Sequence, residues 1–235
     1  MKKLQLISIM LVVPFMLRAQ AFISGVSELH PSKDCIVELT DGSEMKAGMS
    51  SAVIINGFLK TVTLKDENGV KTKLKADEIR RLKVKADALA KLDMMAESTS
   101  SVKELIKTDY NDIIDREYII YEQALLPKKK DKYRLLQLLN PGFDHRIKVY
   151  QDPDAKETMG LSLGDVQLTG GEDKSYLVVK DGAKSVVVKK NKYKKDFPEL
   201  FGDCSIGEII DSGKVKFKNF AAHVFVYDQI CGDKK

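Results

Sequence analysis

The chain is short of the residues and patterns that most enzymes and membrane proteins require. After residue 21 no apolar run approaches the roughly 20 residues needed to cross a bilayer as a helix. There are only three cysteines and three histidines, no CxxC, and no Cys/His spacing suited to zinc. GxxxxGK[ST], GxSxG and HExxH are all missing, which removes phosphate-loop, nucleophile-elbow and zincin chemistry. No catalytic residue, metal site or cofactor is therefore expected.

What is present begins with a leader. Lys2 and Lys3 precede an apolar stretch from Leu4 to Leu17 that Pro14 interrupts, and Ala19-Gln20-Ala21 supplies a small-x-small cleavage pattern. The expectation is a signal peptide over 1–21, a mature chain starting at Phe22, and export to the periplasm or an outer-membrane-associated location. Lys2, Lys3 and Arg18 lie in that leader, so 36 of the 39 basic residues face 34 acidic ones in the remainder. A nearly neutral mature chain has no global attraction for nucleic acid, and none is expected as a partner.

In an exported protein an odd cysteine count suggests one disulfide and one spare thiol. Cys204 and Cys231, both near the C-terminus, are the candidate pair, with Cys35 left over. The alternative is three small buried apolar residues.

The expected fold class is α+β: a small N-terminal antiparallel β-barrel-like module at 22–85, a partly helical connector at 86–112, and an α+β module of β-hairpins and C-terminal helices at 113–235. Ile36, Glu38 and Thr40 alternate with residues of the other face before an Asp41-Gly42 turn, and a second hairpin is built around Asn68-Gly69, with Val70 and Leu74 facing back. Ala76 to Ile79 reads as one helical turn before a strand from Arg81 to Val84. Lys71, Lys73 and Lys75 sit on the solvated side of the alternation. In the later module "EYIIYEQAL", "KYRLLQLLN", "RIKVYQD", "SYLVVK" and "KSVVVKK" read as strands, the last two joined at Asp181-Gly182. Asp196 is the expected N-cap of a helix with Pro198 in its first turn, and "SIGEIIDSG" is a second short helix. Phe217, Phe220, Ala221, Val224 and Tyr227 define the apolar face of a last helix.

Few side chains invite a chemical role. Asp144 and His145 are neighbours, but adjacent residues on a strand point to opposite faces, so the pair does not orient itself. Asp152 and Asp154 flank Pro153 in what reads as a turn rather than a cation site. Asp109, Asp112 and Asp115 share a helical face without the glycine turn of a calcium loop. Five of the seven residues from Lys189 to Lys195 are lysine: Lys189, Lys190, Lys192, Lys194 and Lys195. These are the candidate surface-binding residues, and a solvated strand-to-helix junction is the other reading of the same run.

The segments "KYRLLQLLNPGFDHRIKVYQDPDAKET", "GGEDKSYLVVKDG" and "YKKDFPELFGDC" resemble a family of exported Bacteroidota proteins without an established activity. The preceding β unit is similar to the small β domain that often accompanies it. The resemblance implies an envelope location and leaves the activity open. That family's last helix ends near a tyrosine, an asparagine and a cysteine. Here it reads "YDQIC", so only Tyr227 and Cys231 carry over.

Together these features lead to an exported, non-enzymatic binding or structural module for an envelope protein, a glycan or a lipid headgroup. Two alternatives stand beside it. One is a hydrolase-type enzyme using Asp144 or Asp152 near His145. The other is a peripheral membrane binder through Lys128 to Lys130 and the Lys189–Lys195 run, at about 1 kcal/mol per lysine near an anionic surface.

Overall fold

Tight turns organise the first sheet. The computed structural model of the 235-residue chain describes residues 22–26, 28–87, 117–127, 132–155, 162–163, 166–167, 175–206, 210 and 212–232. Strand β1 (Ser32–Leu39) turns at Asp41-Gly42 into β2 (Glu44–Ile55), where the Asp41 carboxylate accepts bonds from the Ser43 amide and hydroxyl. Strand β3 (Phe58–Lys65) follows through Asn56-Gly57, both with positive φ (50° and 71°), as a two-residue hairpin of right-handed twist demands. A further hairpin at Asn68-Gly69 leads to β4 (Lys71–Lys75). Residues 76–78 form a turn rather than the expected helical one, and β5 (Ile79–Lys85) starts directly after it.

The sheet closes only with strands from beyond the connector. Strands β6 (Tyr118–Leu125) and β7 (Tyr133–Gln137) extend the order to β2-β1-β5-β6-β7-β3, and β2 also pairs with β3. The result is a closed six-stranded antiparallel barrel, with β4 attached outside to β3 as an edge carrying exposed Lys71, Lys73 and Lys75. The barrel is therefore not contained in 22–85: β5 would be an open edge without β6, so the chain must return after the connector to satisfy it. The seam is narrow, because β3 and β7 pair only at Leu59 and Leu135. Residues 1–21, nearly all of the connector, Asp109, Asp112, Asp115 and Lys128 to Lys130 lie outside the described residues.

Bulges set which side chains enter the barrel. Alternation alone cannot bury Leu59 together with Val62, or Ile79 together with Leu82, since each pair is three apart. Extra residues at Lys60 on β3 and Arg80 on β5, where the register shifts, restore the phase. Leu59, Val62, Leu64, Ile79, Leu82 and Val84 then share one core with Cys35, Val37, Met49, Ile119, Tyr121 and Leu135. Val70, expected to face that core, lies beside the Asn68-Gly69 turn and is 60% exposed.

A second layer covers one wall of the barrel. Strands β8 (Ile147–Gln151), β11 (Ser175–Lys180) and β12 (Val186–Lys189) form an antiparallel sheet in the order β12-β11-β8. Between β8 and β11 runs a two-residue ribbon, β9 (Ser162–Leu163) and β10 (Val166–Gln167). Asp181 and Gly182 both take positive φ, which confirms the expected hairpin. One face of this sheet, with Tyr150, Leu177 and Val179, packs on Ala124, Leu136 and Leu138 from the outer side of β6 and β7. Its other face, with Ile147, Val149, Val178 and Val188, packs on the helices. The order of layers is barrel, sheet, helices.

Helix α1 (Tyr193–Phe201) begins three residues before Asp196, so Asp196 falls in the first turn instead of capping it and Pro198 sits inside the helix. Burial of Tyr193 in the aromatic core pulls the start forward, against the local capping signal. Helix α2 (Phe220–Cys231) buries Phe220, Ala221, Val224 and Tyr227 of the predicted face, and the fifth, Phe217, is buried in the 3-10 turn before it (Phe217–Asn219). Most of "SIGEIIDSG" lies outside the described residues. Cys204 and Cys231 are bonded, fastening the end of α2 to the loop after α1, and Cys35 is a buried free thiol.

The segment from Phe22 to Leu29 straps the layers together. Ile23, Val26 and Leu29 enter the barrel core, while the Phe22 ring meets Tyr176 and Phe220 edge-on at 5.2 and 5.3 Å. Buried Gln137 holds the strap by accepting from the Val26 amide (2.7 Å) and donating to the Ser24 carbonyl (3.1 Å).

Candidate functional site: a cationic cleft

The bulge at Arg80 has a second effect. Neighbouring arginines on a regular strand would point to opposite faces, and one would be driven into the core. Because Ile79 and Leu82 both face inward, Arg80 and Arg81 both project outward. They form one wall of a cleft of about 340 Å³ where β5 and β6 meet β8 and the β11–β12 turn. Arg146 and Lys148 come from β8 and the loop before it, and Lys184 from the hairpin turn, giving five cations against the carboxylates of Glu38 and Glu122.

Pairing divides these charges into fixed and available ones. Glu122 is 7% exposed and lies opposite Arg81 across the β5–β6 ladder. Lys148 Nζ donates to it at 2.7 Å and the Tyr150 hydroxyl at 3.0 Å, while Arg81 Nε makes a charge contact at 3.0 Å without hydrogen-bond alignment. Burial and the Glu122 charge push the Tyr150 hydroxyl far up, so it stays a donor. A carboxylate buried among such partners is tolerated because they replace its lost hydration. Two cations on one carboxylate leave positive charge at the floor. Among the described residues Arg80 pairs only with Glu38, at 3.2 Å and largely in solvent, an exchangeable pair worth about 0–1 kcal/mol. Lys184 makes no ion pair among the described residues and is exposed.

Arg146 belongs to the scaffold. It grips Asp181 through two bonds of 2.7 Å, donates to Asp203 at 2.9 Å, and reaches the Cys231 carbonyl at 3.4 Å. Lys180 Nζ (2.6 Å) and the Tyr227 hydroxyl (2.9 Å) also donate to Asp203, and both cations lie 5.2 Å from the Tyr227 ring centre. Burial works to raise the Asp203 pKa, but the donors from Lys180, Tyr227 and Arg146 win and hold it at about 2. This knot ties the hairpin turn, α2 and the disulfide loop together behind the cleft.

His145 also borders the cleft. Its orienting carboxylate is not the neighbouring Asp144 but Asp228 of α2, whose oxygens lie 3.0–3.1 Å from Nδ1 and which also accepts from the His145 amide. Asp144 caps the Gly142 amide at 3.3 Å. Asp152 accepts from the Ser175 hydroxyl (2.6 Å) and the Asp154 amide (3.1 Å), which is a turn, and it does not line the cleft. The carboxylate bonded to the His145 ring is thus neither of the two acids named for a hydrolase.

Lys189 ends β12, Lys190 and Lys192 lie on the turn after it, and Lys194 and Lys195 are in the first turn of α1; all five are exposed, with Tyr193 between them pointing into the core. None of the five lines the cleft. Of the cleft's residues only His145 was singled out by sequence; the cations, the Arg80-Arg81 pair above all, were not, although a doubled arginine in a strand was an available signal. Among the described residues no group of three or more His, Cys, Asp or Glu is arranged to hold a metal, and no helix is long and apolar enough to cross a membrane.

No family model, curated protein or solved structure matches this chain.

Proposed function

We propose that the protein is an exported, non-enzymatic envelope binding module that takes an anionic ligand in the cleft between barrel and sheet. The observation that carries this reading is the bulge that turns both Arg80 and Arg81 to one face of β5, beside Lys148 and Lys184. The same register shift that brings Ile79 and Leu82 into the core leaves two neighbouring arginines outward on one cationic surface. Export is supported by the leader-like residues 1–21, by the disulfide, which persists in oxidising compartments, and by the resemblance to exported proteins.

The test is titration of the folded chain with inorganic phosphate and with citrate, followed by amide chemical shifts. Saturable shifts at residues 80–81, 122–125 and 182–184 that vanish in Arg80→Ala/Lys184→Ala are expected. Shifts confined to Lys189–Lys195 would move the binding surface to the lysine run and refute the cleft.

A further inference from the structure

We infer that the ligand of this cleft is an acidic saccharide, a sugar chain carrying carboxylates, rather than a bare phosphate. The inference rests on the anion-binding reading above and deepens it.

The lining mixes donors with acceptors. A naked phosphate is satisfied by N–H donors alone, and acceptors near it only repel. Here Glu38, half in solvent beside Arg80, and the Gln123 side chain stand among the cations. Sugar hydroxyls need such acceptors as well as donors, because each hydroxyl both gives and receives a bond. Arg80 and Lys184 supply the complement for the carboxylate, Arg80 through a planar fork that matches it.

Tyr133 supplies the second feature. It opens β7 and is 56% exposed, a large aromatic left in solvent on the cleft rim. One open ring face suits the apolar C–H face of a pyranose. Of the other rings of the lining, Tyr150 is buried with its hydroxyl committed to Glu122, and the His145 ring is held by Asp228 of α2. The apolar side chains of the lining, Ala124, Leu125, Val179 and Ala183, are small or aliphatic. A volume near 340 Å³ is at the lower end of small-ligand sites and fits one or two sugar rings of a longer chain.

The experiment uses the folded chain and three probes: trigalacturonate, neutral galactotriose and inorganic phosphate, measured by calorimetry and amide shifts. Trigalacturonate is expected to bind about tenfold or more tightly than either other probe, the worth of one added ring contact and acceptor set. Tyr133→Ala should weaken trigalacturonate about tenfold and leave phosphate unchanged. Arg80→Ala/Lys184→Ala should weaken both. Tyr133 is exposed and Arg80 holds only an exposed pair, so neither change threatens the fold; circular dichroism checks this. Phosphate binding at the cleft as tightly as trigalacturonate, or no effect of Tyr133→Ala, overturns the saccharide and leaves the anion site standing. Silence from all three probes refutes both. Binding to anionic vesicles without trigalacturonate binding also overturns the inference, in favour of a lipid surface.

Discussion

His223 should make this protein acid-labile in a defined window. The ring is 3% exposed among Tyr193, Phe197 and Phe201, stacked on Tyr193 at 5.8 Å between centres. Its Nδ1 lies 2.6 Å from the Tyr193 hydroxyl, and the Lys214 carbonyl takes a hydrogen bond from the ring. One donor and one acceptor are what a neutral imidazole needs. Burial lowers the pKa, the Lys214 carbonyl offsets part of this, and the result is about 4 against 6.5 for a free ring. The unfolded chain therefore takes up the proton first. The stability contribution is fully present above pH 6.5 and is lost as pH falls from 6.5 to 4. At about 1.4 kcal/mol per unit, the loss is about 3 kcal/mol. Urea midpoints measured from pH 8 to 4 should fall across that window, whereas His223→Gln, weaker at pH 8, should show a shallower slope. The reading separates from Asp203, whose depressed pKa removes stability only as pH falls from 3.8 towards 2. Equal slopes for wild type and His223→Gln between pH 6.5 and 4 would refute the argument.

Other consequences follow from single contacts. Cys204→Ala/Cys231→Ala opens a link across 27 positions and should cost about 3.5 kcal/mol in chain entropy, read as a lower urea midpoint, with wild type in reductant moving the same way. Glu122→Leu leaves Lys148 and the buried Tyr150 hydroxyl without their acceptor and should cost about 3–5 kcal/mol; a loss below 1 kcal/mol in chemical denaturation would show that the cations reach solvent instead. Glu122→Leu/Lys148→Met should recover part of the loss in a double-mutant cycle. Gly57→Ala places a methyl 2.8 Å from Pro153 Cβ at a φ of +71°, and should lower stability by more than 1 kcal/mol in thermal melts.

Local chemistry was enough for the hairpins at Asp41-Gly42, Asn68-Gly69 and Asp181-Gly182, since a positive-φ turn needs only its own two residues. Asn56-Gly57 carries the same signal and joins β2 to β3, yet it lies inside a run where apolar and small residues mask the strand ends. The period of three and four in "KFKNFAAHVFVY" correctly indicated a helix despite its β-branched residues, because both sides of α2 find a buried partner. The cysteine pair was legible from count and position, with three buried free thiols as the lesser alternative.

Sequence alone determined most strands, the main turns and the last helix, because each depends on residues within a few positions, and composition gave the cysteine candidates and the near balance of charge after residue 21. Tertiary structure decided the rest. The barrel extends past the connector because β5 needs β6 as its neighbour, a pairing with no local signature. The start of α1 follows the burial of Tyr193. Asp228, 83 residues away, orients His145 in place of Asp144. The outward pairing of Arg80 and Arg81 exists because one extra residue in β5 shifts the phase, and register is set by the neighbouring strand. Long-range pairing fixes which face a side chain takes, and the cleft is made of faces.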